Sequence, residues 1–280
     1  MIASPEEIRL GIRRYNIMSK LQEHYDEALN HFKEEEIVGI FLQGSQNYEM
    51  DYEGSDIDTK LIVVPSFEDI CLNRKPVSTT YVRANEEHTD WKDIRLYMET
   101  FRKQNLNFLE ILFTEFYILN PMYADQWMRL VAAREEIARM NPHRAVKSMK
   151  GIALEKYHAM EHRYPSKADI IDKYGYDGKQ VSHLLRVDDY LERYINGEDY
   201  KSCLIPTPSK RPRMMDYKLL DKIGLAEARL EAERVRAHTE AMADAFCEEC
   251  LEYEDIEMRE LLESVSYEIM KIAVQEELKK

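Results

Sequence analysis

Cysteine is scarce in this chain. Cys71, Cys203, Cys247 and Cys250 are its four, and their irregular spacing excludes the disulfide framework of a small secreted domain. Cys247-Glu-Glu-Cys250 offers one pair where a structural zinc site needs a second. His238 is the only histidine within reach, so both thiols read as ordinary helix residues. No run of about 18 apolar residues occurs, which argues against a membrane-spanning helix. The opening Met-Ile-Ala-Ser-Pro-Glu-Glu lacks the basic and apolar regions of a signal peptide. The expectation is a soluble, cytoplasmic protein. Positive charge is also short: 39 Lys and Arg face 53 Asp and Glu, a net charge of −14. Residues 224–280 alone hold 16 acidic and 7 basic side chains, so most of the imbalance sits in the last stretch. Broad binding of long duplex nucleic acid is therefore disfavoured, and with it the surface a polymerase needs. A local basic patch in the middle of the chain remains compatible with this balance.

What the chain does contain is Gly44-Ser45 followed at short range by Asp56-Ile57-Asp58. Residues 37–43 (Ile-Val-Gly-Ile-Phe-Leu-Gln) read as an apolar strand, Gly44-Ser45 as a turn, and residues 56–64 as a second strand after a looped or helical stretch. Alternation along a strand points Asp56 and Asp58 the same way and turns Ile57 to the core. Two carboxylates on one face repel unless a cation joins them, so the pair suits a hard, oxygen-seeking ion such as Mg²⁺ or Mn²⁺. Gly44 lets the backbone approach a phosphate with no Cβ in the way. Ser45 can donate its hydroxyl and main-chain N–H to phosphate oxygens.

Gly-Ser, a short spacer and Asp-x-Asp between apolar strand residues resemble the signature of the DNA polymerase β superfamily of nucleotidyltransferases. Gly44-Ser-Gln-Asn-Tyr48 through Gly54-Ser-Asp-Ile-Asp-Thr-Lys60 is similar, more narrowly, to the stand-alone predicted nucleotidyltransferases of bacteria and phages, over roughly residues 37–120. The resemblance implies an α+β fold: a small mixed-sheet nucleotidyltransferase domain over 1–120 and a helical domain over 121–280 that closes over the nucleotide. It also implies transfer of an NMP from an NTP to a hydroxyl acceptor, with two Mg²⁺ ions on Asp56, Asp58 and a third carboxylate. Asp90, at the expected end of a strand returning after a turn at 84–86, is the leading candidate for that carboxylate. Asp93 is another, and simple capping of the helix expected over 94–101 is the remaining reading. Leu106, Leu109, Ile111, Leu112 and Phe113 make 105–116 read as core.

At 280 residues the chain exceeds the usual single-domain size of about 100–150. After Pro121 it reads as helices over 123–140, 143–163 and 179–194, with a turn at 174–178 and two long helices over 224–251 and 257–274. Lys179, His183 and Arg186 fall at i, i+4 and i+7 and put three candidate phosphate contacts on one helix face. Arg144, Lys147 and Lys150 do the same on the preceding helix. Lys60, on the face of Asp58, is a weaker candidate. Residues 202–215, with Pro206, Pro208, Pro212, Lys210, Arg211 and Arg213, read as a basic loop or linker. The acceptor (a protein hydroxyl, a tRNA end or a small molecule) and the base preference are not legible, and the acidic terminal helices leave a homo-oligomer open. An antitoxin-like regulator that binds nucleotide and metal without transfer is the alternative reading. A fused ribonuclease domain would bring Arg-x4-His, and in the helical half Arg234-Val-Arg-Ala-His238 falls one residue short.

Overall fold

A computed structural model describes residues 4–83, 87–219 and 223–279. The chain opens with α1 (Pro5–Ala28), for which Ser4 and Glu7 form a reciprocal cap: Ser4 Oγ accepts the Glu7 N–H at 3.2 Å and Glu7 accepts the Ser4 N–H at 2.7 Å. A sheet follows. It comprises β1 (Ile37–Gln43), β2 (Asp58–Val63), β3 (Ser78–Val82), β4 (His88–Asp93) and β5 (Tyr117–Leu119), with α2 (Phe67–Cys71) between β2 and β3, and α3 (Ile94–Arg102) and α4 (Leu106–Leu109) between β4 and β5. The strand order is β3-β4-β2-β1-β5. β1 is antiparallel to both β2 and β5, β3 is antiparallel to β4, and β2 and β4 run parallel with Thr59 opposite Thr89 and Lys60 opposite Asp90. Gly39 is required within β1, because a Cβ there would meet the Ile118 carbonyl oxygen of β5 at 2.9 Å.

Helices make up the rest: α5 (Ala124–Ala132), α6 (Arg134–Ala138), α7 (Pro142–Ala159), α8 (Ala168–Tyr174), α9 (Gly178–Ile195), α10 (Tyr200–Leu204), α11 (Arg211–Leu219), α12 (Leu225–Glu249) and α13 (Ile256–Glu277). The architecture is thus mixed α+β around one five-stranded mixed sheet.

The alternation of β2 sorts its side chains between two sides. Leu61 and Val63 join Ile37, Ile40, Ala28 of α1 and Trp91 in one cluster, while Ile62 joins Val38, Phe41 and the buried residues of the helical half. Asp58 and Lys60 share the parity of Ile62 and so belong to the helical side. On the α1 side, Thr59 accompanies a buried polar group in which His24 Nδ1 lies 3.0 Å from Thr59 Oγ1 and His24 Nε2 lies 3.1 Å from Glu87 Oε2.

Several sequence expectations need correction. The single helix over 123–140 is two, α5 and α6, because Ala133 leaves the helical backbone region at φ −99°, ψ 18°. The proline-bearing stretch at 202–215 is not a loop throughout: α10 ends at Leu204 and α11 begins at Arg211, with Pro212 in its first turn, where a missing N–H costs nothing. Between them Asp189, fully buried, accepts the Thr207 N–H at 2.9 Å and the Thr207 hydroxyl at 2.7 Å, which fixes the connection. The terminal helices pack within the chain, α12 on α7 and α9 and α13 on α5 and α3. The turn expected at 84–86 lies outside the described residues.

Candidate functional site

The β1–β2 connection is built around Gly44, whose φ of 83° and ψ of −155° lie where an L side chain is strained. Its carbonyl accepts the Asn47 N–H at 2.9 Å, the Ser45 carbonyl accepts the Met50 N–H at 3.0 Å, and Asn47 Nδ2 donates to the Leu42 carbonyl at 2.8 Å. These bonds curl residues Ser45–Tyr48 into a single tight turn. Arg13 of α1 ties it from outside, donating to the Gln46 carbonyl at 2.8 Å and to Asp51 at 3.2 Å. The Gly44 N–H is already used: Glu110 Oε1 accepts it at 3.2 Å. Gly44 therefore offers an open Cα surface and not a donor, and Ser45 is the residue of this turn beside it that lines the cavity with a hydroxyl.

Asp56 is exposed and Asp58, the first residue of β2, is half-buried. Burial and the neighbouring Asp56 charge push the Asp58 carboxyl up, against the His88 N–H that it accepts at 3.0 Å. A half-buried carboxylate repelled by a like neighbour is stabilised by positive charge placed beside it.

That charge stands opposite, on the first turns of α9. Asp177 caps α9 through the Lys179 N–H at 2.9 Å, and Lys179, Ser182, His183 and Arg186 then follow on one face. Arg186 is only 5% exposed, and its Nε and Nη1 have no hydrogen-bond partner among the described residues. Its guanidinium lies over the Tyr48 ring at 4.0 Å. Each unsatisfied buried donor costs roughly 1–3 kcal/mol, so the chain keeps Arg186 here at a standing loss of stability. Burial, then the charges of Arg186 and Lys179, hold His183 well below its usual range, which leaves it a neutral imidazole. Lys218, on α11, completes the wall. Its Nζ donates to the Met50 carbonyl at 2.5 Å, and burial together with Lys179 lowers it to about 8.

Gln43, Gly44, Ser45, Tyr48, Met50, Asp56, Asp58, Lys179, Ser182, His183, Arg186 and Lys218 line one cavity of about 140 Å³. The structure thus brings together Gly44, Ser45, Asp56, Asp58, Lys179, His183 and Arg186 across more than a hundred residues of sequence.

Asp90 does not line that cavity. It sits in the middle of β4 and not at the end of a strand; its Oδ1 accepts the Thr80 hydroxyl at 2.7 Å and its Oδ2 lies 3.7 Å from Lys60 Nζ. Asp93 is buried, caps α3 through the Arg95 N–H at 2.8 Å and pairs with the Arg95 guanidinium at 2.6 Å, so it is a structural residue. Lys60 is buried under Phe108 and donates to Gln43 Oε1; burial lowers it despite Glu110, Asp90 and Asp58. Arg144 and Lys150 turn away, to Glu252 and Asp244, and Lys147 is exposed outside the cavity. Arg144 and Lys150 fasten the terminal segments in place of facing the site. Among the described residues no three His, Cys, Asp or Glu side chains converge as a metal-holding group. The donors that do suit a hard cation are the two carboxylates Asp56 and Asp58, whose mutual repulsion such an ion would relieve.

Sequence reasoning missed Lys218, Tyr48 and Glu110. Lys218 was hidden by the prolines before it, although a Pro at a helix start is itself a helix signal. Glu110 stands alone among apolar residues; burial pushes its carboxyl up while Lys60 and Arg186 draw it down, and a lone acid in a core run was the available sign. Comparison with known proteins finds no family model that matches the chain and no curated protein similar to it.

Proposed function

We propose that this protein is a metal-dependent nucleotidyltransferase that moves an NMP from an NTP to a hydroxyl acceptor and releases pyrophosphate. The observation that carries the reading is one cavity with two carboxylates on one wall and, on the other, cations that include a buried arginine with unpartnered donors. A Mg²⁺ or Mn²⁺ ion on Asp56 and Asp58 would polarise the α-phosphate and offset charge on the leaving group. Arg186, Lys179 and Lys218 bind the phosphate oxygens, and the Ser45 hydroxyl and N–H hold the chain of phosphates against the Gly44 turn. His183 adds a ring that can hydrogen-bond the ligand from the same face of α9. The acceptor hydroxyl gives up its proton to solvent at the exposed Asp56 side of the cavity as its oxygen bonds to the α-phosphorus, the bond from that phosphorus to the pyrophosphate bridging oxygen breaks, and pyrophosphate departs along the cationic wall.

The test is incubation of the purified protein and cell extract with NTPs labelled at the α- or the γ-phosphate. Transfer of the α label alone, lost in Asp58→Asn, supports the proposal. Transfer of the γ label would make the reaction a phosphoryl transfer. Metal-dependent NTP binding with no transfer would favour the regulatory, antitoxin-like reading.

A further inference from the structure

We infer that this cavity recognises the polyphosphate chain and not the base, so that the protein accepts all four NTPs and binds inorganic triphosphate nearly as well. The inference rests on the nucleotide reading above and sharpens it. Three features carry it. The first is size: about 140 Å³ is well below the roughly 300–1,000 Å³ of pockets that enclose a whole drug-sized ligand, so a phosphate chain fills it and the nucleoside stays at the mouth. The second is the chemistry of the walls. Lys179, Arg186 and Lys218 are donors matched to anionic oxygens, and the unpartnered Nε and Nη1 of Arg186, buried more than nine-tenths, are satisfied by a ligand that brings acceptor oxygens. The third is what the lining withholds from a base. Of its two rings, Tyr48 is buried beneath the Arg186 guanidinium and the His183 imidazole sits between the cations Lys179 and Arg186 on α9, and the oxygen of its one side-chain amide, Gln43, is engaged by Lys60. A base edge is read by bidentate amide or guanidinium contacts in its plane, and the one guanidinium of the lining, Arg186, is 5% exposed and stands among the cations Lys179 and Lys218, a setting that favours an anionic oxygen over a neutral base edge. Tyr52 is an exposed ring against the lining, with Lys218 Nζ 5.3 Å from its centre, and stacking there would serve any base, since each has a π-face.

The experiment is calorimetric titration of the full-length protein, in Mg²⁺, with ATP, GTP, CTP, UTP, inorganic triphosphate and adenosine. The four NTPs are expected to bind within about fivefold of one another, inorganic triphosphate within about tenfold of ATP, and adenosine not measurably, because a tenfold ratio in affinity is about the net worth of a single hydrogen bond. Arg186→Met, checked for folding by its thermal transition, is expected to lose at least about tenfold for ATP and inorganic triphosphate alike, while Arg186→Lys recovers part of it. If one NTP binds about a hundredfold tighter than the others and inorganic triphosphate does not compete, base recognition is present. This inference then fails while nucleotidyl transfer stands. If none of the polyphosphates binds, both fall.

Discussion

At the scale of single residues, charge at the cavity is set by burial as much as by residue type. Lys218 is held at about 8, below the usual lysine value, so its ammonium is complete below that pH and is lost above it. An anionic ligand favours the charged form. Polyphosphate affinity is therefore expected to be level up to about pH 7 and to weaken several-fold by about pH 9.5, and Lys218→Arg, charged throughout, is expected to flatten the profile. A wild-type profile already flat over that range would exclude Lys218 from the contact. Asp90 behaves differently because Thr80 and Lys60 hold it on the sheet outside the cavity. Asp90→Asn is expected to reduce transfer by less than about tenfold and to leave Mn²⁺ binding intact, whereas Asp58→Asn abolishes both. Equal losses in the two variants, by turnover and by Mn²⁺ titration, would return Asp90 to the metal site.

Among the elements, the turn after β1 is the part on which the cavity floor depends. No atom lies within 4 Å of the Cβ position of Gly44, so space is not the constraint there; the constraint is its φ of +83° with an extended ψ. Gly44→Ala is expected to cost about 1–3 kcal/mol in denaturant unfolding and to displace Ser45, with polyphosphate affinity falling alongside. Unchanged stability would mean the turn relaxes at no cost. The turn was legible because Gly-Ser follows an apolar run; the strand expected over 56–64 begins instead at Asp58, so Asp56 lies in the exposed segment before it, and the cavity rather than strand alternation brings the two carboxylates together. The cationic face of α9 was legible because Lys179, His183 and Arg186 repeat at helical spacing. α11 was not, because Pro206, Pro208 and Pro212 together read as a loop and hid the helix-start signal that Pro212 carries; the helix they precede packs on α9. The run Arg144, Lys147, Lys150 had the same kind of periodicity as the face of α9, and yet Arg144 and Lys150 serve structural pairs with Glu252 and Asp244, since spacing gives a face but not what lies against it.

For the whole molecule, the carboxylates come from the start of β2 and the segment just before it and the cations from helices far along the chain, so each wall of the cavity gathers charges of one sign that repel one another. A ligand that brings cation to one wall and anion to the other binds the folded state alone. At about a hundred times its dissociation constant such a ligand adds about 2.7 kcal/mol, so Mg²⁺ with an NTP is expected to raise the thermal midpoint by several degrees, and neither Mg²⁺ nor NTP alone is expected to match it. Equal shifts from NTP without metal would mean the carboxylate wall takes no part. The mixed α+β class was readable from the alternation of β1 and β2 and from the helical stretches after Pro121. The joining of the two regions through one continuous buried cluster, from Val38 of β1 to Ala273 of α13, was not, because it is made by contacts between residues remote in sequence.

The most direct measurement is a crystal structure of the protein with Mn²⁺ and an NTP analogue that resists cleavage between its α- and β-phosphates. The expected result is manganese on Asp56 and Asp58, located by its anomalous signal, with phosphate oxygens within hydrogen-bond distance of Arg186 Nε and Nη1 and the base outside the cavity. Phosphates bound elsewhere, or a triphosphate that leaves the Arg186 donors unpaired, would contradict it.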